Sequence, residues 1–143
     1  MPTPEASSRR AWTARARTAE AAVLLIIARL LIATVALRRW RSTLGAVARK
    51  PGAADALTLA SLLCRHVERA ALRLPIETKC LPRAMALSWM LRRRSIAHAA
   101  VFGVRQSGAA PDTETLHAWV EIAGQALPTG SDRSWQEVFR LGA

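Results

Sequence analysis

The order of apolar and polar positions divides the chain into a helical first part and a second part rich in strand patterns. An almost continuous apolar run over 21–32 predicts the middle of a long helix over 19–42. After the Pro-Gly break at 51–52, leucine and alanine recur at helical spacing and predict a second helix over 53–73. A third helical pattern over 81–94 ends in three arginines, which suit the negative end of a helix.

The second part of the chain has the alternation that is typical of strands. Residues 95–104 and 117–122 predict two strands, and a Gly-containing turn leads to a short third strand near 125–128. Residues 134–141 fit a short helix or a docking segment. Helices followed by a meander of strands predict an α+β domain, with the third helix packed on a small antiparallel sheet.

Length and composition limit the chain to one domain. Its 143 residues are 51% hydrophobic, which is enough for one modest core. We expect residues 1–18, which are polar and basic, to form a flexible N-terminus, and residues 19–143 to form a single domain. The first apolar run starts late and contains Arg29, so it does not fit a signal peptide and is marginal for a membrane span, which favours a core helix or one lying at a membrane or partner surface. The missing signal-peptide pattern favours a cytoplasmic location, where free thiols persist.

The strong positive charge limits the choice of partners. The net charge is +11, and residues 1–50 carry +8 of it, with ten Arg or Lys residues against two Glu. Such a surface suits an acidic partner or a membrane, or is simply solvated. The basic end of the first predicted helix, residues 38–41, fits either peripheral membrane contact or a helix end that faces water. Nucleic-acid motifs are absent and stacking aromatics are few, which argues against nucleic-acid binding.

Two residues carry candidate chemistry. Cys80 stands where a loop-like stretch ends and the third helix begins, with Pro82 in the first turn. The N-terminus of a helix favours a thiolate, and His117 opens the second strand. A cysteine at a helix start followed by a strand-borne histidine is the arrangement of a cysteine peptidase or transglutaminase-like nucleophile. The alternative is that Cys80 is an inert, small hydrophobic residue.

The remaining cysteine and histidines have weaker signals. Cys64 lies on the apolar second helix and is expected in the core. His66 has no motif around it, and we expect a hydrogen-bonded surface or core histidine. His98 lies on the first predicted strand and is the second candidate for a catalytic base. The cysteines and histidines lack the close spacing of zinc ligands, so no metal and no cofactor is expected.

Two sequence blocks resemble the B2 proteins of lasso-peptide biosynthesis. The blocks comprise residues 80–87 with 91–96, and residues 102–104 with 117–121 and Gly124. That family is similar to the transglutaminases and the papain-like cysteine peptidases, and the resemblance covers about residues 20 to 128. It implies a transglutaminase-like (papain-like) cysteine peptidase fold, a Cys–His–Asp triad, and removal of the leader from a lasso precursor peptide.

Cys80 and His117 match the implied triad directly, whereas the third member does not match cleanly. The family places an Asp on the strand after the histidine, where this chain has Thr129, with Asp132 a little beyond. Asp132 is our candidate, and the alternative is a solvated residue of the Gly-Ser-Asp turn. A Cys–His pair without a carboxylate can also work, because the third group mainly orients the imidazole. Glu121 shares the face of His117 on an ideal strand, but its distance along the strand argues against direct contact.

The resemblance also implies partners: the precursor peptide, a separate B1-type leader-recognition protein, and the lasso cyclase. A separate recognition protein is expected because only about twenty residues precede the first predicted helix, too few for a recognition domain. The apolar helix over 19–37 is either its docking surface or part of the core. The competing hypotheses are a non-catalytic transglutaminase-like scaffold, a membrane-surface adaptor, and a transglutaminase proper.

Overall fold

The computed structural model describes residues 1, 3–46, 53–105, 116–127 and 135–142. In the described part of the chain, helices cover one face of an antiparallel sheet. The elements are α1 (Pro4–Thr34), α2 (Leu37–Trp40), a 3₁₀ turn (Arg41–Thr43), α3 (Ala53–Arg73), α4 (Cys80–Arg93), β1 (Ala99–Arg105), β2 (Leu116–Ile122), β3 (Gln125–Leu127) and β4 (Trp135–Gly142). The predicted α+β class, with the Cys-bearing helix packed on a small antiparallel sheet, is confirmed.

Helix α1 begins much earlier than its apolar run. Thr3 caps it, because its hydroxyl accepts a hydrogen bond from the N–H of Ala6 at 3.4 Å, and Pro4 occupies the first helical position. The alanines and arginines that follow are strong helix formers. The predicted boundaries, 19–42, were wrong at both ends. Most of the segment 1–18, which we expected to precede the helix, belongs to it, and the helix ends at Thr34.

One side of α1 faces the core and the opposite side faces solvent. The buried side consists of Ala21, Leu25 and Ala28. The outer face of α1, as we call it below, consists of Val23, Ile26, Ile27 and Leu30, which are all at least 41% exposed. Glu20 fastens α1 to the end of α4 through ion pairs with Arg94 at 2.7 Å and Arg93 at 3.0 Å. The hydrogen bond from Arg94 holds the pKa of Glu20 below its ordinary value.

The core lies between the helices and one face of the sheet. Helix α4 is its centre, and Met85, Met90 and Leu91 are fully buried. Helix α3 packs beside α4 with the boundaries that the sequence predicts, Ala53–Arg73. From the sheet, alternate residues of β1 and β2 point into this core: Ala100, Phe102, Ala118 and Val120. The other face of the sheet carries a smaller apolar cluster around Val101 and Trp119.

The sheet has the order β3-β2-β1-β4, with all neighbours antiparallel. In the β1–β2 register Gly103 lies opposite His117. Strand β4 pairs with β1, so the prediction of a helix or docking segment over 134–141 was wrong. Periodicity cannot separate a short helix from a strand in such a segment. The segment forms a strand because the edge of β1 supplies backbone hydrogen-bond partners for it. Within the described residues, no helix has the length and hydropathy needed to cross a membrane.

Candidate active site

Cys80 is the first residue of α4 and is half-buried. Its Sγ atom lies 3.9 Å from the carbonyl oxygen of Leu116, the first residue of β2. The thiol therefore reaches the strand position next to His117. The start of a helix also leaves backbone N–H groups without intrahelical acceptors, and these groups can bind negative charge.

Arg83 holds the loop that leads to Cys80. Its Nε atom donates a hydrogen bond to the carbonyl oxygen of Thr78 at 2.9 Å, and its Nη1 atom donates to Glu68 Oε2 at 2.7 Å. One side chain from the first turn of α4 thus connects the preceding loop with α3. This arrangement limits how far the backbone just before Cys80 can move.

The imidazole of His117 is stacked against two indoles. The ring of Trp119 lies 5.7 Å from it and the ring of Trp135 lies 4.8 Å from it, centroid to centroid, at interplanar angles of 26° and 23°. The guanidinium of Arg105 covers Trp135 at 4.9 Å from the ring centroid. Gly103 leaves room for Trp119, because a Cβ there would approach the indole to 2.8 Å. These contacts restrict the orientation of the imidazole.

Trp135 is a site residue that the sequence analysis missed. It lies on β4, and only the pairing of β4 with β1 brings it beside β2. Trp119, two positions after His117, is 8% exposed, belongs to the smaller apolar cluster and contacts the imidazole.

Cys80 and His117 line the same two cavities. The first, which we call the polar cavity, has a volume of about 280 Å³, and its wall includes Glu68, Thr78 and Arg83. The second, which we call the apolar cleft, has a volume of about 650 Å³. Its wall includes Ile32, Val35, Leu37, Trp40, Phe102 and Phe139. The indoles that contact the His117 imidazole belong to the smaller apolar cluster, on the face of the sheet turned away from the helices. The Cys80 thiol contacts the Leu116 carbonyl oxygen, so the two residues share cavity walls while the pairing of thiol and imidazole stays a prediction.

The third member of the implied triad is not placed. Asp132, our candidate, and Thr129 lie outside the described residues, so the role of Asp132 stays a prediction. The carboxylate of Glu121 accepts hydrogen bonds from Trp119 Nε1 and from Arg140 Nη2, both at 3.1 Å. Glu121 therefore orients the indole that contacts the imidazole of His117.

His98, the second candidate for the base, lies in a buried network away from both cavities. Ser88 Oγ accepts a hydrogen bond from the N–H of Gly45 at 2.9 Å and lies 2.7 Å from His98 Nε2. His98 Nδ1 lies 2.8 Å from the carbonyl oxygen of Ile96, so Nδ1 must carry the proton. Nε2 then accepts from the Ser88 hydroxyl. Burial lowers the pKa of His98, which fits this neutral tautomer.

His66 and Cys64 have structural environments on α3. His66 is 4% exposed, and its Nδ1 atom is hydrogen-bonded with Thr18 Oγ1 at 2.9 Å. Burial lowers the pKa of His66. Cys64 belongs to the main core, as predicted, and burial raises the pKa of its thiol to about 11. At neutral pH Cys64 is therefore a thiol and a poor nucleophile.

The described residues contain no group of three or more His, Cys, Asp and Glu side chains that could hold a metal ion.

A protein-family model described as the transglutaminase-like superfamily matches residues 22–141 of the chain. No curated protein and no solved structure gives a significant match to the chain. The matched range contains Cys80, His117 and both tryptophans that contact the imidazole.

Proposed function

Because the chain belongs to the transglutaminase-like superfamily, which includes cysteine peptidases, we propose that it is a cysteine peptidase that removes the leader from a lasso precursor peptide. One observation carries the proposal: Cys80, at the start of a helix, and His117, on the adjacent strand, line the same cavities. Two sequence blocks that resemble the lasso B2 proteins narrow the substrate to a precursor peptide.

The proposed reaction is acyl transfer to water. The thiolate of Cys80 attacks the scissile carbonyl carbon, and a C–S bond forms while the carbonyl becomes an oxyanion. His117, protonated by the thiol, gives that proton to the departing amine as the C–N bond breaks. Water then attacks the thioester, His117 accepts its proton, and the carboxylic acid product and the thiol are released.

The start of α4 supplies the electrostatic part of the mechanism. The backbone N–H of Cys80 belongs to the first helical turn, where N–H groups have no intrahelical acceptors. Such donors stabilise a tetrahedral oxyanion, and the positive end of the helix adds to the effect. Arg83 maintains this geometry through the Thr78 carbonyl.

A separate leader-recognition protein completes the proposal, and a lasso cyclase uses the released core peptide. The outer face of α1 is the proposed docking surface, since exposed apolar stripes of this kind commonly mark interaction sites. Changing Ile26 and Leu30 together to serine should weaken the complex with the recognition protein, measured by size-exclusion chromatography. The same changes at Leu72 and Val138, which are exposed on α3 and β4, should leave the complex intact.

The test of the proposed function is cleavage of the precursor peptide in the presence of the recognition protein, followed by mass spectrometry. Cys80→Ala and His117→Ala should each abolish cleavage, to a similar degree and without additivity, because the two residues act as one unit. His66→Ala should retain the activity of the folded fraction. Normal cleavage by Cys80→Ala would overturn the cysteine-peptidase proposal, and absence of cleavage by wild type would leave a non-catalytic scaffold or an adaptor as the better description. An essential His98 with a dispensable His117 would assign the base elsewhere.

A further inference from the structure

The apolar cleft continues directly from the proposed nucleophile. Its polar lining among the described residues is limited to Lys79, Cys80 and His117, and the remaining walls are apolar. Its volume of about 650 Å³ lies in the range of about 300–1,000 Å³ that is usual for small-ligand sites. The cleft can therefore hold one or two large side chains beside the thiol.

The walls of the apolar cleft are well defined. The rings of Phe102 and Phe139 are stacked at 4.4 Å between centroids and 10° between planes. Trp40 is 5% exposed and donates its Nε1–H to the carbonyl oxygen of Val35 at 3.0 Å, so it has no further hydrogen to donate. Leu37 and Phe139, in contrast, are 41% and 40% exposed at the rim. An apolar surface that is open to water gains free energy when an apolar group covers it.

We propose that the apolar cleft receives a large apolar side chain of the peptide substrate next to the scissile bond. The inference rests on the proposed function, because a peptide placed for attack by Cys80 lies across the mouth of the cleft. A basic side chain in this position would lose hydration without gaining a partner of opposite charge. An acidic side chain would find Lys79 as its oppositely charged partner among the described lining residues. The cleft therefore selects the substrate by the apolar character of the residue beside the bond that is cut.

The test uses two methanethiosulfonates that differ only in the group they attach to the thiol. The thiolate of Cys80 attacks the sulfenyl sulfur, a disulfide forms, the S–S bond of the reagent breaks and methanesulfinate leaves. One reagent transfers a methylthio group and the other transfers a benzylthio group. The benzyl part of the second group is the side chain of phenylalanine. The rate at which each reagent modifies Cys80 is divided by the rate at which the same reagent modifies glutathione. Peptide mapping by mass spectrometry distinguishes modification of Cys80 from modification of Cys64.

Full burial of an aromatic side chain stabilises a complex enough for about a tenfold or larger effect on rate. We therefore expect the normalised benzyl rate at Cys80 to exceed the methyl rate by about tenfold or more. Leu37→Asp places a carboxylate in the cleft and should remove most of this preference. Leu72→Asp is the matched control, because Leu72 is 83% exposed and does not line the cleft. It should retain the preference.

Each outcome decides between the two proposals. If Cys80 reacts readily with the methyl reagent but shows no benzyl preference, the subsite is wrong and the peptidase proposal stands. If Cys80 reacts with neither reagent faster than glutathione does, the proposed nucleophile is wrong and the subsite fails with it. If wild type is a dimer by light scattering and Leu37→Asp is monomeric, a second copy covers the cleft, and the substrate subsite is overturned.

Discussion

The buried contact between His98 and Ser88 supports a quantitative prediction about stability. His98→Ala removes both imidazole hydrogen bonds, and leaves the Ser88 hydroxyl and the Ile96 carbonyl without their present partner. His98 is 1% exposed and Ser88 is fully buried, so water has little access to either group. A buried polar group without a partner costs about 1–3 kcal/mol. We therefore expect the free energy of unfolding to fall by about 3 kcal/mol, with partial relaxation of the site.

Urea unfolding followed by tryptophan fluorescence at pH 8 measures this loss. Ser88→Ala is the informative comparison, since it removes the acceptor of the Gly45 N–H as well as the donor to His98 Nε2. It should cost about 1–3 kcal/mol, because it also leaves buried groups unpaired. A loss below about 1 kcal/mol in His98→Ala would show that the network contributes little, and would refute the argument.

The same network predicts how stability depends on pH. Burial lowers the pKa of His98 from its ordinary value of 6.5, so the folded protein binds fewer protons than the unfolded chain near and below that value. The stability from neutral His98 is complete above pH 6.5 and is lost as the pH falls through the folded-state pKa. His66 contributes with the same sign. His98→Ala should therefore lose stability less steeply below pH 6.5 than wild type. Equal slopes would contradict the buried neutral tautomer.

Three further predictions concern the candidate site. Arg83→Met should lower kcat for precursor cleavage at least tenfold while costing about 1–2 kcal/mol of stability, because two half-exposed charged hydrogen bonds are lost. Arg93→Met, at a more exposed ion pair, should change kcat little. Trp135→Leu should reduce kcat more than stability, since it frees one face of the His117 imidazole, whereas Trp12→Leu, at an exposed position on α1, should have no effect on cleavage. Asp132→Asn should cut turnover severely with an intact fold if its carboxylate orients the imidazole, and unchanged turnover would remove it from the site.

The parts of the fold that the sequence predicts are those with strong local signals. Helix α3 has the predicted boundaries, and the helix that follows the loop begins at Cys80, one residue before the predicted start. Strand β2 also matches within one residue, because alternation on a half-buried strand is a clear pattern. In all three cases the periodic pattern of apolar residues and the residues that flank it indicate the same boundaries.

The parts that the sequence does not predict depend on distant partners. Trp135 and Phe139 lie in a segment whose strand conformation comes from pairing with β1, at least thirty residues earlier. No local pattern shows that pairing, so a wall of the apolar cleft and one neighbour of His117 were missed. The start of α1 was missed for a different reason: its first turns have few apolar residues, and helix-forming arginines and alanines with a capping Thr3 extend it.

The position of β4 in the chain has a consequence during protein synthesis. The ribosome makes the residues of α4 and β2 before those of β4, so a nascent chain carries Cys80 and His117 before it has Trp135 and Phe139. Until β4 pairs with β1, the imidazole lacks one of its stacking neighbours and the cleft lacks one wall. The assembly order thus delays the complete cleft, and the complete set of ring contacts of His117, until the last described strand has been translated.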